Sequence, residues 1–167
     1  MREVVTELFR SLGSAYLVGT NYILGTTTNN NADSGYVGEI LSASTVRSAP
    51  VALTTTVSAN VTSLALTAGD WDVFIEVGFT GGGTTTVLAY SLSTTSATLS
   101  GTDTEAVPTS NEVRGSLPLS VAVTDVTDTL YCRVSLASTT TVYLVANATF
   151  AVGVVNGFGS IFARRSR

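Results

Sequence analysis

The chain has 167 residues, and because 44% of them are hydrophobic it can bury a core of its own as one domain. Only 12% are charged, about half the usual share, and the formal net charge of −4 comes from twelve acids and eight arginines, with neither lysine nor histidine. These counts exclude a basic stripe for a phosphate backbone, Schiff-base chemistry and every histidine-dependent acid–base arrangement; the single cysteine, Cys132, excludes an intrachain disulfide and a cysteine-built metal site.

In chain order, Val4, Val5, Leu8, Phe9 and Leu12 fall at helical spacing and predict a short amphipathic helix that ends before Gly13. Glu3 and Glu7 stand where a secretory signal would place a basic end and an apolar block. No apolar run reaches the roughly 18 to 20 residues of a membrane span, so neither a signal peptide nor membrane insertion is expected. A helix this short is marginal alone, and the next stretch, with Tyr16, Leu17, Val18, Tyr22, Ile23 and Leu24, is too apolar for open water. The segment reads as an anchoring arm that docks on another protein or on its symmetry mates; the plainer alternative is a cover over one end of the same β domain. Thr26 to Asn31 has the composition of a linker. The expected division is an arm and Thr/Asn linker over 1–31 and one β domain over 32–167.

From Tyr36 onward the sequence reads as strands broken by turn signals about every ten residues. Asn60 to Phe79 reads as a hairpin, with Leu64 and Leu66 in its first strand, Ala68-Gly69-Asp70 as its turn, and Trp71, Val73, Ile75, Val77 and Phe79 as the core face of its second. The opposite face carries Asp72, Phe74, Glu76 and Gly78, too mixed to be buried in a monomer and too apolar at Phe74 for open solvent. Gly81-Gly82-Gly83 is expected to be a second hairpin turn, and it is no phosphate loop, because no Gly-Lys-Ser/Thr follows. A strand near 86–92 precedes an exposed loop over 101–118. Closing strands are expected near 117–123, 129–136, 140–152 and 157–164. Cys132 alternates with Leu130, Val134 and Leu136 as a small buried thiol. In the strand after Thr140 both faces are partly apolar, Val142 and Leu144 on one and Tyr143 and Val145 on the other, which places it mid-stack or against a neighbouring subunit. The fold class that follows is all-β, an antiparallel jelly-roll-like sandwich.

Without histidine or lysine, the chemistry left to test is a carboxylate pair of the glycosidase kind. At about 3.3 Å per residue, Asp72 and Glu76 would stand about 13 Å apart on one strand face, too far for either mechanism, and Asp70 and Asp72 about 6.6 Å. Asp70 follows Gly69 at a turn, where aspartate commonly bonds its own backbone. A structural role is expected for these acids, and no catalytic residue, cofactor or metal site. Asn60-Val61-Thr62 and Asn147-Ala148-Thr149 match the glycosylation pattern as a chain rich in Asn and Thr does by chance. Tyr90 and Tyr131 are candidates for stacking on a sugar ring. Arg164 and Arg165 end an apolar strand and point to opposite faces; a planar guanidinium suits a carboxylate partner, and Asp70, Asp72 and Glu76 are the densest acids available.

The run Val61-Thr62-Ser63-Leu64-Ala65-Leu66-Thr67-Ala68-Gly69-Asp70-Trp71-Asp72-Val73 resembles a β domain that recurs in tailed-bacteriophage fibre and virion proteins. The resemblance continues through Leu92 to Leu99 and Thr139 to Phe150, and closes with Gly159-Ser160-Ile161-Phe162-Ala163-Arg164-Arg165. It covers about Gly38 to Arg167 and implies a homotrimeric, mainly structural module on the outside of a phage particle, made in the host cytoplasm. The partners it implies are further copies of the chain, other virion proteins reached through the arm, and in some cases a host-surface glycan. The long collagen-like or coiled-coil shaft of tail fibres is absent, which leaves a short fibre, a tail-tip piece or a head-decoration protein.

Overall fold

The computed structural model describes residues 30–100, 113–122 and 125–166, together with two short strands, β1 (Leu17–Val18) and β2 (Tyr22–Ile23), which pair antiparallel. The helix predicted around Val4, Val5, Leu8, Phe9 and Leu12 lies outside the described residues, as does most of the loop predicted over 101–118. The chain divides into two compact units, Met1–Asn30 and Asn31–Arg167. Asn31, read above as linker, belongs with the second: its amide donates to the Ile40 carbonyl and accepts from the Ile40 N–H, both at 2.7 Å. A side chain thereby occupies the free edge of the first strand of this unit, as a neighbouring backbone would.

The second unit contains β3 (Ile40–Thr45), β4 (Val51–Ala52), β5 (Ala59–Leu66), β6 (Gly69–Gly81), β7 (Thr84–Ser93), β8 (Val113–Ala122), β9 (Asp125–Leu136), β10 (Thr140–Phe150) and β11 (Val155–Arg165). They form two antiparallel sheets, ordered β5-β10-β7-β8 and β3-β11-β6-β9, with β4 continuing the β3 edge along β11. Alternation builds the space between them. Trp71, Val73, Ile75, Val77 and Phe79 of β6 are buried from one side, and Leu88, Tyr90 and Leu92 of β7 with Val142 and Leu144 of β10 from the other, in one core cluster. The Tyr90 hydroxyl donates across this core to Asp128, and its ring meets Phe79 edge-on at 6.4 Å. The architecture is an all-β antiparallel sandwich, and Cys132 is buried in it as expected.

Neither predicted hairpin forms. Strand β5 pairs with β10, while β6 pairs with β11 and β9, so Ala68-Gly69-Asp70 belongs to a corner at which the chain changes sheet. Alternation identifies two strands with apolar faces, but Leu66 and Trp71 both reach full burial by facing the core from opposite sheets. The glycine triplet is likewise a crossing between sheets, from β6 to β7. It lies against the β10–β11 connection through Gly82 N–H to Val154 O and Thr84 N–H to Val152 O, both at 3.1 Å. Gly81 (φ +150°) approaches so closely that a Cβ there would stand 2.0 Å from Val154 O. The end of the predicted 101–118 loop is strand from Val113, because β8 pairs with β7; as the edge of its sheet β8 tolerates Pro118.

The apolar second face of β10 needs no neighbouring subunit at Val145, which is fully buried within the chain. Val145 is flanked by Asn60 on β5 and Ser91 on β7. Asn60 binds the Ser96 hydroxyl and the Ala97 N–H, both at 2.7 Å, and Ser91 accepts from the Ser100 N–H at 3.2 Å. Residues 96–100 therefore bridge β5 and β7 above β10, as a strap of the chain itself. Placing a side chain on Gly81 should destabilise the sandwich: Gly81→Ala is expected to lower the unfolding free energy by about 1–3 kcal/mol in denaturant titration, whereas Gly82→Ala, with nothing within 4 Å of the added carbon, should leave it unchanged.

Candidate functional site

The outer face of the β3-β11-β6-β9 sheet is open, and its register arranges side chains in rows across the strands. The middle row is Ser42, Phe162, Phe74 and Tyr131, one residue per strand. Its aromatics are 39%, 50% and 43% exposed, high for side chains with so much apolar surface. Their rings pack as one unit, Phe74 lying 4.9 Å from Tyr131 and 6.4 Å from Phe162 between centroids. On one side the next row is Ile40, Arg164, Asp72 and Arg133; on the other it is Ser44, Ser160, Glu76 and Thr129. Together Gly38, Ile40, Asp72, Phe74, Phe162 and Arg164 line most of a shallow open groove, which Tyr131 completes.

Polar contacts fix the rim of this groove. The Tyr131 hydroxyl donates to Asp72 Oδ1 at 2.8 Å, and this hydrogen bond, with the carboxylate's charge, raises the phenol's pKa. Asp70 meets Arg133 at 3.5 Å. One row further along, the Phe158 ring lies directly over Gly78, where any Cβ would collide with it at 2.2 Å, so the aromatic covers bare backbone.

The predicted partnership of the terminal arginines with Asp70, Asp72 or Glu76 is not what forms. Arg165 points inward and pairs with Glu39 at 2.9 Å, both side chains about 95% buried. Its guanidinium lies 4.2 Å from the centroid of Trp71, donates to Ala68 O at 2.8 Å and bonds the Thr67 hydroxyl. It thereby satisfies the β5–β6 corner, whose backbone groups the sheets leave over. Trp71, fully buried, donates to Thr67 O at 2.9 Å and serves the core rather than an interface. Arg164 points outward beside Asp72, with no bonded partner among the described residues, and Glu76 is equally alone. Glu39 escaped the sequence reading, since nothing local distinguishes an acid whose partner lies 126 positions away.

Tyr90 is corrected as a sugar contact. It is 1% exposed, and burial together with Asp128 pushes its phenol far above the ordinary range. Of the two candidates only Tyr131 is at the surface. Among the described residues no group of three or more acids or cysteines stands together as metal ligands, and no helix is long and apolar enough to cross a membrane. Comparison with protein-family models, with curated proteins and with solved structures returned no match.

The buried pair sets a stability prediction. Arg165→Ala should cost about 3–5 kcal/mol in denaturant titration by leaving Glu39 buried and unpaired, while Arg164→Ala should cost almost nothing. The Gly35 N–H and the Arg165 guanidinium hold the Glu39 carboxyl below its ordinary value of 4.5, against the opposing effect of burial. With the folded pKa depressed, the stabilisation is complete above that ordinary value and is lost as pH falls through the folded value. The thermal midpoint should therefore hold from neutral pH to about pH 5 and fall below it, and Glu39→Gln should flatten that fall.

Proposed function

We propose that this chain is a non-enzymatic structural protein of a tailed-phage particle, displayed on its exterior and self-associating through the aromatic face of its sandwich. The carrying observation is the aromatic row: Phe74, Phe162 and Tyr131 lie open on the outer face of the sheet, flanked by Ser42, Ser44, Ser160 and Thr129 and by the charged Asp72, Glu76, Arg133 and Arg164. A patch of this kind is characteristic of surfaces that meet other proteins. The strand orders β3/β4-β11-β6-β9 and β5-β10-β7-β8 support the jelly-roll reading, since seven of the eight steps from β3 to β11 either continue an edge or cross between the sheets. Jelly rolls are common to viral shells and lectins, so the choice between those uses rests on the face and not on the fold.

The phage assignment itself draws on the resemblance of Val61 to Val73 and Gly159 to Arg165, and it places the protein in a short fibre, at the tail tip or on the head. The arm, with Val4, Val5, Leu8, Phe9 and Leu12, remains the proposed anchor to other virion proteins. The resemblance also implies a homotrimer; a cyclic trimer requires two different patches on each copy. Saccharide recognition is a second reading, favoured by Tyr131, whose exposed ring is held in place by Asp72. In a glycan array, binding that disappears with Tyr131→Ala would favour it.

Light scattering on the purified chain should give a mass of more than one copy. Phe74→Asp combined with Phe162→Asp should reduce it to that of one chain while the far-ultraviolet dichroism of the sandwich persists. A wild-type monomer at micromolar concentration would remove self-association from the reading, and gold labelling that failed to find the protein on intact particles would remove the virion.

A further inference from the structure

The groove on the open face sets an apolar floor beside a polar pair. Phe162 and Phe74 are direct cross-strand partners, and two residues along the same two strands so are Arg164 and Asp72. Tyr131 extends the floor beside Phe74, and its hydroxyl takes up only Oδ1 of Asp72. Arg164 is exposed and has no bonded partner among the described residues. Aromatic rings and an opposed acceptor and donor thus line one shallow depression.

We propose that this groove binds a neutral pyranose sugar, its C–H face lying on Phe74 and Phe162 and two neighbouring hydroxyls of its rim meeting Asp72 and Arg164. The proposal rests on the saccharide reading above and adds the place, the polar contacts and the charge class of the ligand. Two residues at about 3.3 Å each separate the aromatic pair from the polar pair by about 6.6 Å, close to the width of one pyranose with its hydroxyls. Adjacent strands stand about 4.8 Å apart, so the two polar side chains can reach neighbouring hydroxyls of one ring. The carboxylate accepts from one of them and the guanidinium donates to the next. The apolar face of the ring is meanwhile taken out of water by the phenylalanines.

Other ligand classes fit this groove less well. Strands β11 and β6 lie inside the sheet, so their backbone groups are used by its ladder and an extended peptide cannot add there as a strand. Arg164 is faced by Asp72, and Arg133 by Asp70, so no unbalanced positive charge awaits an acidic sugar. A nucleic acid would meet a chain of net charge −4. A neutral sugar needs only donors, acceptors and an apolar floor. Because the groove is shallow, one ring should bind it weakly, with Kd about millimolar.

Saturation-transfer NMR titrations of the full chain with methyl α-glucoside, methyl α-galactoside, methyl α-mannoside and glucuronic acid test the assignment. Sugar and second copy need the same rings, so the titrations are run at protein concentrations at which light scattering gives one chain. At least one neutral glycoside should bind, more tightly than glucuronic acid and without dependence on added salt. Asp72→Asn and Arg164→Gln should each weaken it by about tenfold, as should Phe74→Ala, while Glu76→Gln, across the aromatic row from the polar pair, should leave it unchanged. If Asp72→Asn does not fold, Arg164→Gln, at an exposed side chain, carries the test. No saturation by any neutral glycoside at about 100 mM would overturn the proposal and the saccharide reading together. Binding lost in Tyr131→Ala but unchanged in Arg164→Gln and Phe74→Ala would overturn the groove assignment and leave the saccharide reading standing. Tighter binding of glucuronic acid would overturn the neutral class.

Discussion

The buried ion pair between Glu39 and Arg165 is the interaction on which the rest of this sandwich depends. A guanidinium taken out of water is tolerated only when its charge is met and its donors are used, and Arg165 achieves both at once. Its charge is met by Glu39, its other donors by Thr67 and the Ala68 carbonyl, and its plane by Trp71. These partners come from just before the first strand, from the corner between the two sheets and from the core. The backbone repeats the connection, with Gly38 donating to the Arg165 carbonyl and Arg165 to the Glu39 carbonyl, each at 2.9 Å. One residue thus closes the edge of the β3-β11-β6-β9 sheet at the point where the chain enters it.

That closure determines what the outer face can present. Adjacent residues of a strand point to opposite sides, so the inward turn of Arg165 sends Arg164 outward, beside Asp72, and the inward turn of Trp71, Val73 and Ile75 sends Asp72, Phe74 and Glu76 outward with it. The order of rows on the open face is therefore the complement of the order of the core. Because the core is close-packed and the register of β6 against β11 and β9 is continuous over its whole length, the aromatic row and its two charged flanks are held as a fixed pattern. The opposite sheet offers no comparable surface over Val145, where residues 96–100 lie across it and occupy the hydroxyls of Ser91 and Ser93.

Much of this was legible in the sequence because it is periodic. The two faces of β6 could be told apart residue by residue, and Phe74 stood out as an apolar side chain on a polar face. The burial of Cys132 and the all-β class followed from the same alternation. Partnership was not legible. Alternation says that Leu66 and Trp71 are inward without saying whether their strands lie side by side or in opposite sheets, and the short link between them suggested the wrong answer. Tyr90 and Tyr131 look alike in sequence as aromatics in threonine-rich strands, and only the sheet assignment sends one into the core and the other into solvent. The Arg165 partner was missed because the acids near Trp71 are dense whereas Glu39 stands alone, and contact across 126 positions leaves no local mark. The strap over Val145 was hidden for a related reason: a polar stretch reads as a solvent loop whether or not its hydrogen bonds return to the sheet.

The central claim is that the aromatic row is the surface on which copies of this chain meet, and the most direct measurement is the reactivity of a thiol placed in that row as a function of protein concentration. Ser42→Cys adds an exposed sulfur at the end of the row with little change in volume, while the native Cys132, 1% exposed, serves as a slow internal reference. If copies meet through this face, alkylation at position 42 should slow as concentration rises through the range in which the mass climbs above that of one chain, with Cys132 unaffected. An alkylation rate at position 42 that stays constant while the mass increases would show that the copies meet elsewhere, and would contradict the account.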